Sequence, residues 1–207
     1  NMRHWEGRTV RRIDFEGDAA ERLEYLRDKL AQKAGTALSS AEVAASLRAV
    51  YATGVLNTAE VLARPDGDGV DLIFRGEPRL FLGTITVNGA KGATVNTQLE
   101  RGSRLNVGTR FTSAKMKQAL GLMRQILAQN GYYEPSIAYT LKPNVAEQLM
   151  NIDFLVKSGP RARVGAVTVT GTPGMTLEEF RRDAHLKSGE LVTQETVNRA
   201  LSGLLKH

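Results

Sequence analysis

Along the chain the spacing of apolar residues changes several times, and the changes recur in a fixed order. From Arg11 to Glu16 polar and apolar positions alternate with Ile13 and Phe15 on one side, the period of a half-buried strand. Leu23, Leu26 and Leu30 follow at helical spacing, and Val43, Leu47, Val50 and Tyr51 make a second helical stripe. Gly35 suits the left-handed position after a helix end, and Ser39 with Glu42 has capping-box spacing, so the second helix is predicted to start after Ser39. A strand over Thr58 to Arg64, a turn over Pro65-Asp66-Gly67-Asp68-Gly69 and an almost unbroken apolar strand over Val70 to Phe74 complete the set.

The set repeats. Ile13-Asp14-Phe15-Glu16-Gly17, Ile85-Thr86-Val87-Asn88-Gly89 and Val167-Thr168-Val169-Thr170-Gly171 are three alternating runs that each end in Gly, 72 and 82 residues apart. Gly35…Leu38-Ser39, Gly108…Phe111-Thr112 and Gly189…Val192-Thr193 follow those glycines by 18, 19 and 18 residues. Pro78-Arg79 and Pro160-Arg161 stand at the same distance ahead of the second and third runs. In the second repeat the pattern predicts a strand over Thr84 to Asn88 and a first helix over about Val95 to Arg104. A second helix after Thr112 carries Met116, Leu120, Met123 and Leu127, followed by strands over Ser136 to Lys142 and Leu149 to Val156. The third predicts its strand, a helix capped by Thr176 with Glu179, and a helix with Val197, Leu201 and Leu204. The expected divisions are an N-terminal tail over 1–8, repeats over 9–77 and 78–159, and a truncated third repeat over 160–207 with one strand and two helices.

Geometry turns this order into a fold. Two antiparallel helices return the chain to the end where the first strand finished, so the second strand runs antiparallel to the first and the third runs parallel to it. The apolar third strand belongs in the centre. The expected class is α+β: tandem βααββ repeats, each a mixed three-stranded sheet with two helices on one face and the second strand on an open edge.

Composition narrows the chemistry. The chain is 42% hydrophobic and 24% charged, ordinary for a folded globular protein, and no apolar stretch reaches the 18–20 residues of a membrane helix. It has no Cys, which excludes disulfides, thiolate metal sites and a cysteine nucleophile. His4, His185 and His207 form no metal-ligand spacing and suggest no catalytic triad; Asp66-Gly67-Asp68-Gly69-Val70-Asp71 lacks the final Glu of a calcium loop. No enzyme, metal or cofactor is therefore expected. The net charge of +6 and the strand-helix-helix-strand core also admit a KH-like nucleic-acid module, whose clamp is Gly-x-x-Gly. Leu38, Phe111 and Val192 stand where the second Gly would be, which argues against nucleic acid as a partner.

The motifs Arg12-Ile13-Asp14-Phe15-Glu16-Gly17, Gly35…Leu38-Ser39, Tyr51-Ala52-Thr53-Gly54-Val55-Leu56, Asn130-Gly131-Tyr132-Tyr133 and Gly159-Pro160-Arg161 resemble the POTRA module. The likeness is to the tandem POTRA region of the outer-membrane protein assembly family that includes BamA and TamA. The resemblance implies a periplasmic arm preceding a membrane β-barrel outside this chain. Its implied partners are unfolded outer-membrane proteins, accessory lipoproteins and that barrel; a two-partner secretion transporter is the alternative setting. An open strand edge can pair with an extended peptide, so the expected polypeptide-binding residues are Thr58, Ala59, Val61 and Ala63 in the first repeat. In the second they are Ser136, Ile137, Ala138, Tyr139 and Thr140. Arg22, Arg27, Lys29 and Lys33 on the first helix are candidate electrostatic contacts, or a solvated face paired with Glu21, Glu24 and Asp28.

Overall fold

Ile13 lies opposite Leu72, and Leu72 lies opposite Ala63, so one apolar row crosses three strands. The computed structural model describes residues 2–171 and 174–205. Strand β1 (Val10–Glu16) pairs parallel with β3 (Gly69–Arg75), and β2 (Glu60–Asp66) pairs antiparallel with the other side of β3, giving the order β1-β3-β2. Strands β4 (Phe81–Asn88), β5 (Ser136–Asn144) and β6 (Leu149–Lys157) form a second sheet in the matching order β4-β6-β5. The expected central strands are central in both sheets. The chain packs as two compact units, one of Asn1–Gly83, Val107–Phe111 and Lys142–Asn151, the other of Thr84–Asn106, Thr112–Leu141 and Ile152–His207.

In the first unit one face of the sheet is apolar. Val10, Ile13, Phe15, Val70, Leu72 and Phe74 are buried against Leu23, Leu30, Val43 and Val50. Helix α1 (Ser40–Ala52) supplies the last two. The first predicted helix is instead a 3₁₀ helix over Ala20–Lys29, in which Leu23 is buried. Leu30 ends it in extended backbone, and Gly35 lies farther on in the loop rather than at its end. Ser39 caps α1, its hydroxyl accepting the Glu42 amide. The expected return contact from Glu42 is replaced: the buried Gln32 carboxamide oxygen accepts the Ser39 N–H at 2.9 Å. Tyr51, predicted to lie in the buried stripe, is 47% exposed beneath the Arg79 guanidinium, which sits 5.6 Å from the ring centroid. The β5–β6 turn also belongs to this unit. Val145 packs on its core, and Gln148 donates to the carbonyls of Gly54 and Arg79, at 3.1 Å each.

Helices α2 (Ala93–Gly102) and α3 (Ser113–Gln129) belong to the second repeat. Thr112 caps α3 by accepting the Lys115 amide, and Met116, Ala119, Met123 and Leu127 are its buried side chains. At 17 residues α3 is one turn longer than the 13-residue α1. Beyond them lie α4 (Leu177–Asp183), with a complete capping box between Thr176 and Glu179, and α5 (Gln194–Leu204). The predicted third alternating run, Val167 to Thr170, forms no strand ladder. In both sheets the equivalent strand is held by the central strand of its own repeat, and no such strand occurs among the described residues after Pro160. Val197 and Leu201 are 38% and 54% exposed.

The loop marker has a common geometry that spacing alone does not reveal. In each repeat the loop glycine donates to a carbonyl of the incoming segment: Gly35 to Val10, Gly108 to Leu82 and Gly189 to Val164, at 2.7, 2.7 and 2.8 Å. The apolar residue three places on donates to the carbonyl two residues earlier, Leu38 to Arg8, Phe111 to Leu80 and Val192 to Ala162. The three loop glycines have φ of 80°, 82° and 78°, and the glycines ending the alternating runs have φ of 102°, 90° and 96°. These are left-handed conformations that glycine adopts without steric cost. The bulky residue in place of a second glycine thus belongs to a short ladder that covers the start of β1 and of β4.

Candidate functional site: the outer edges of β2 and β5

Each sheet has its second strand at one side, and among the described residues no strand pairs with the outer edge of β2 or of β5. Proline reveals which β2 amides face outward. Pro65 lies opposite Val70 and has no N–H, so this pair is not one that exchanges two ladder hydrogen bonds. Opposed residues in an antiparallel pair alternate between bonded and non-bonded sites. Ala63, opposite Leu72, and Val61, opposite Phe74, therefore direct their N–H and C=O groups away from β3. The same parity counted from Pro143 assigns the outward groups of β5 to Leu141, Tyr139 and Ile137. Both prolines sit where an edge strand tolerates them.

The side chains divide by face. Val61 and Ala63 pack partly on the first core, as does Ala59, and α1 adjoins β2 on that side. Ile137 is half-buried and Tyr139 is 46% exposed, its ring centroid 6.3 Å from that of the buried Phe154. Ser136, Ala138 and Thr140 are exposed at the alternate positions. Thr58 and Ala59, expected within the edge strand, precede it, because β2 begins at Glu60 and runs on through the predicted turn to Asp66. There Thr58 braces the end of β3: its hydroxyl accepts the Glu77 amide at 3.2 Å, and its carbonyl lies against Gly76. Thr58 and Ala59 line an open depression of about 590 Å³ with Glu16, Glu60, Arg75 and Glu77.

The open face of the first sheet carries charges in rows that the register fixes. Asp71 on β3 has Arg12 opposite it on β1 and Arg64 on β2; Arg75 has Glu16 and Glu60 in the same relation. The signs alternate across and down the sheet. Arg12–Asp71 at 2.7 Å and Arg75–Glu60 at 2.6 Å are the cross-strand pairs, with Arg64–Glu16 at 3.6 Å on the diagonal. The hydrogen bond from Arg12 to Asp71 raises the Arg12 pKa. Asp71 is 3% exposed, with one carboxylate oxygen unpartnered.

The four candidate cations of the first repeat each have a partner within the first compact unit. Arg27 reaches Glu24 at 2.7 Å and Asp14 at 3.1 Å, which raises its pKa. Lys29 lies over the Tyr25 ring, Lys33 donates to the Asp28 carbonyl, and Arg22 donates to the Val145 carbonyl at 3.3 Å.

A mixed sheet with its third strand central, two helices on one face and a free second-strand edge defines a class of small repeat. Residues 81–159 match the POTRA family model, described as surface antigen variable number repeat. The matched residues are those of the second repeat, and the first shares its strand order. Among solved structures the chain is similar to BamA POTRA3-5 of Haemophilus influenzae, with 14% identity, 97% of this chain and 85% of that one covered, and a TM-score of 0.44. It is also similar to the N-terminal domain of Omp85 from Thermosynechococcus elongatus, with 18% identity, 96% and 85% coverage and a TM-score of 0.39. No curated protein matches.

Proposed function

We propose that this chain is the polypeptide-binding arm of an outer-membrane β-barrel assembly factor, working at the periplasmic face of that membrane. It receives extended segments of unfolded outer-membrane proteins by strand addition to β2 and β5. Accessory lipoproteins and the protein's own barrel are its other partners. The observation that carries the reading is the pair of unpaired edges whose outward amides are Val61 and Ala63 in one repeat and Ile137, Tyr139 and Leu141 in the other. Main-chain pairing of this kind is nearly indifferent to client side chains, while the half-buried Val61, Ile137 and Tyr139 offer shallow apolar footing.

The test is binding of a synthetic peptide with the alternating pattern of a membrane β-strand, followed by fluorescence anisotropy. Val61→Pro and Tyr139→Pro each delete one outward donor without breaking a bond to β3 or β6, and the double variant is expected to lose most binding while keeping its melting temperature. Ala138→Pro instead removes an inward amide and lowers stability. Full binding by a folded double variant would overturn the proposal.

A further inference from the structure

The charged face of the first sheet stops at β2 in a row that faces outward. Glu60, Leu62 and Arg64 share this face, since Val61 and Ala63 between them turn to the core. Across the sheet the register reads Glu16–Arg75–Glu60, Asp14–Ile73–Leu62 and Arg12–Asp71–Arg64. Both charged rows alternate in sign as far as the outer edge. The next member of each would be a base beside Glu60 and an acid beside Arg64, because like charges directly opposed across strands are destabilising.

Hydrogen-bond parity brings this row close to an incoming strand. Antiparallel addition continues the β3–β2 pairing and is slightly more stable per residue than parallel addition. Val61 and Ala63 direct their N–H and C=O groups outward, so they occupy the bonded sites of such a pair. Glu60, Leu62 and Arg64 then fall at the non-bonded sites, where opposed Cα atoms approach to about 4.5 Å rather than about 5.5 Å and side chains meet most closely. Both charges retain capacity for a partner. Glu60 accepts from Arg75 Nε through Oε1, and a carboxylate has a second oxygen to offer. Arg64 lies 3.6 Å from Glu16, beyond hydrogen-bond reach, and its side chain is 62% exposed.

The corresponding positions of β5 differ. Ser136, Ala138 and Thr140 are uncharged, and the last two adjoin an open depression of about 390 Å³ whose lining includes Thr86 and the exposed Leu155. We infer that the β2 edge selects its client by charge. It takes an extended segment, antiparallel to β2, that places an acid over Arg64, an uncharged residue over Leu62 and a base over Glu60. The segment therefore carries an acid and a base four residues apart, acid first. The inference rests on the strand addition proposed above and adds to it the chemistry of the client at one of the two edges.

The experiment compares two peptides of identical composition, Glu-Val-Thr-Val-Lys and Lys-Val-Thr-Val-Glu within the same flanking sequence. Fluorescence anisotropy follows their binding to the whole chain carrying Tyr139→Pro, so that β2 alone is read. The acid-first isomer is expected to bind about tenfold more tightly at about 0.1 M salt, two attractive cross-strand pairs replacing two repulsive ones. The difference should shrink at about 1 M salt, where the screening length is about 3 Å. Adding Glu60→Gln with Arg64→Gln should equalise the two isomers and leave the melting temperature unchanged, since exposed ion pairs contribute little to stability. Equal affinity of the Tyr139→Pro protein for the two isomers, with both lost on adding Val61→Pro, would overturn the charge selection and leave strand addition standing. Tighter binding of the base-first isomer, or a preference that survives the two Gln substitutions, would also overturn it. If neither isomer binds, or Val61→Pro leaves binding unchanged, strand addition at β2 itself fails and the inference with it.

Discussion

Gln32 holds Ser39 in place. Its carboxamide oxygen takes the Ser39 N–H at 2.9 Å, while its nitrogen donates to the Thr36 hydroxyl at 2.9 Å and the Ala37 carbonyl at 3.1 Å. The Gln32 backbone N–H bonds the buried Ser46 hydroxyl at 3.0 Å. One fully buried polar side chain thus organises the loop that lies along β1 and the start of α1. Gln32→Ala strands several of these groups and should destabilise the protein by about 2–3 kcal/mol, read as a lowered urea midpoint.

The glycine markers should separate by cause. Gly108→Ala meets open space and has only the cost of its left-handed backbone, about 1 kcal/mol. At Gly89 a Cβ would also stand 2.5 Å from the Val156 carbonyl oxygen. Gly89→Ala should therefore cost at least about 2 kcal/mol more, from overpacking on top of the dihedral strain. Equal melting shifts for the two variants would contradict this geometry.

Two carboxylates should titrate low. Glu6 accepts from the Ser40 hydroxyl and amide, and Glu179 from the Thr176 amide and hydroxyl; these bonds hold both below the ordinary glutamate value near 4.5. Because the folded pKa values are depressed, the stabilisation is fully present above pH 4.5 and is lost as pH falls through the lowered values. Side-chain carbonyl shifts followed by NMR should give both midpoints below that of an unstructured glutamate.

The buried Asp71 should respond unequally to changes at the two ends of its ion pair. Arg12→Ala removes the ion-pair partner of an almost fully buried carboxylate and should lower the urea midpoint. Asp71→Leu removes the unpartnered oxygen beside the apolar Ile73 and should raise the midpoint or leave it unchanged.

Cap strength gives a further measurement. Thr112→Ala removes the hydroxyl that accepts the Lys115 amide and should cost about 1 kcal/mol. Thr112→Ser should restore it.

Much of this architecture is legible in residue spacing. Alternation around Ile13 and Phe15, the apolar run through Phe74 and the recurring glycines are local consequences of which face each strand buries. The strand order followed from counting chain reversals. What escaped depends on partners distant in sequence. Nothing local marks Ala20–Lys29 as 3₁₀ or shows that Gln32 takes the role expected of Glu42. The start of β2 moved to Glu60 because Thr58 is engaged by Glu77 and lies against Gly76. Pro65 reads as a turn residue in sequence, but on an edge it fits inside the strand. The run through Val169 has the alternation of a strand, but among the described residues no central strand pairs with it. At the candidate edges, Val61, Ile137 and Tyr139 were identifiable from alternation; the parity separating Tyr139 from Ala138 needed the prolines read against a ladder.

Under the proposed strand addition, that parity would limit how firmly the first repeat grips. Beyond Ala63 the next outward position is Pro65, which offers a carbonyl and no hydrogen, so a chain zipped along β2 finds two donors and then a gap. On that proposal such a handhold would release readily, and a long client would be kept only by passing from one short purchase to the next, a property of conveyance rather than storage.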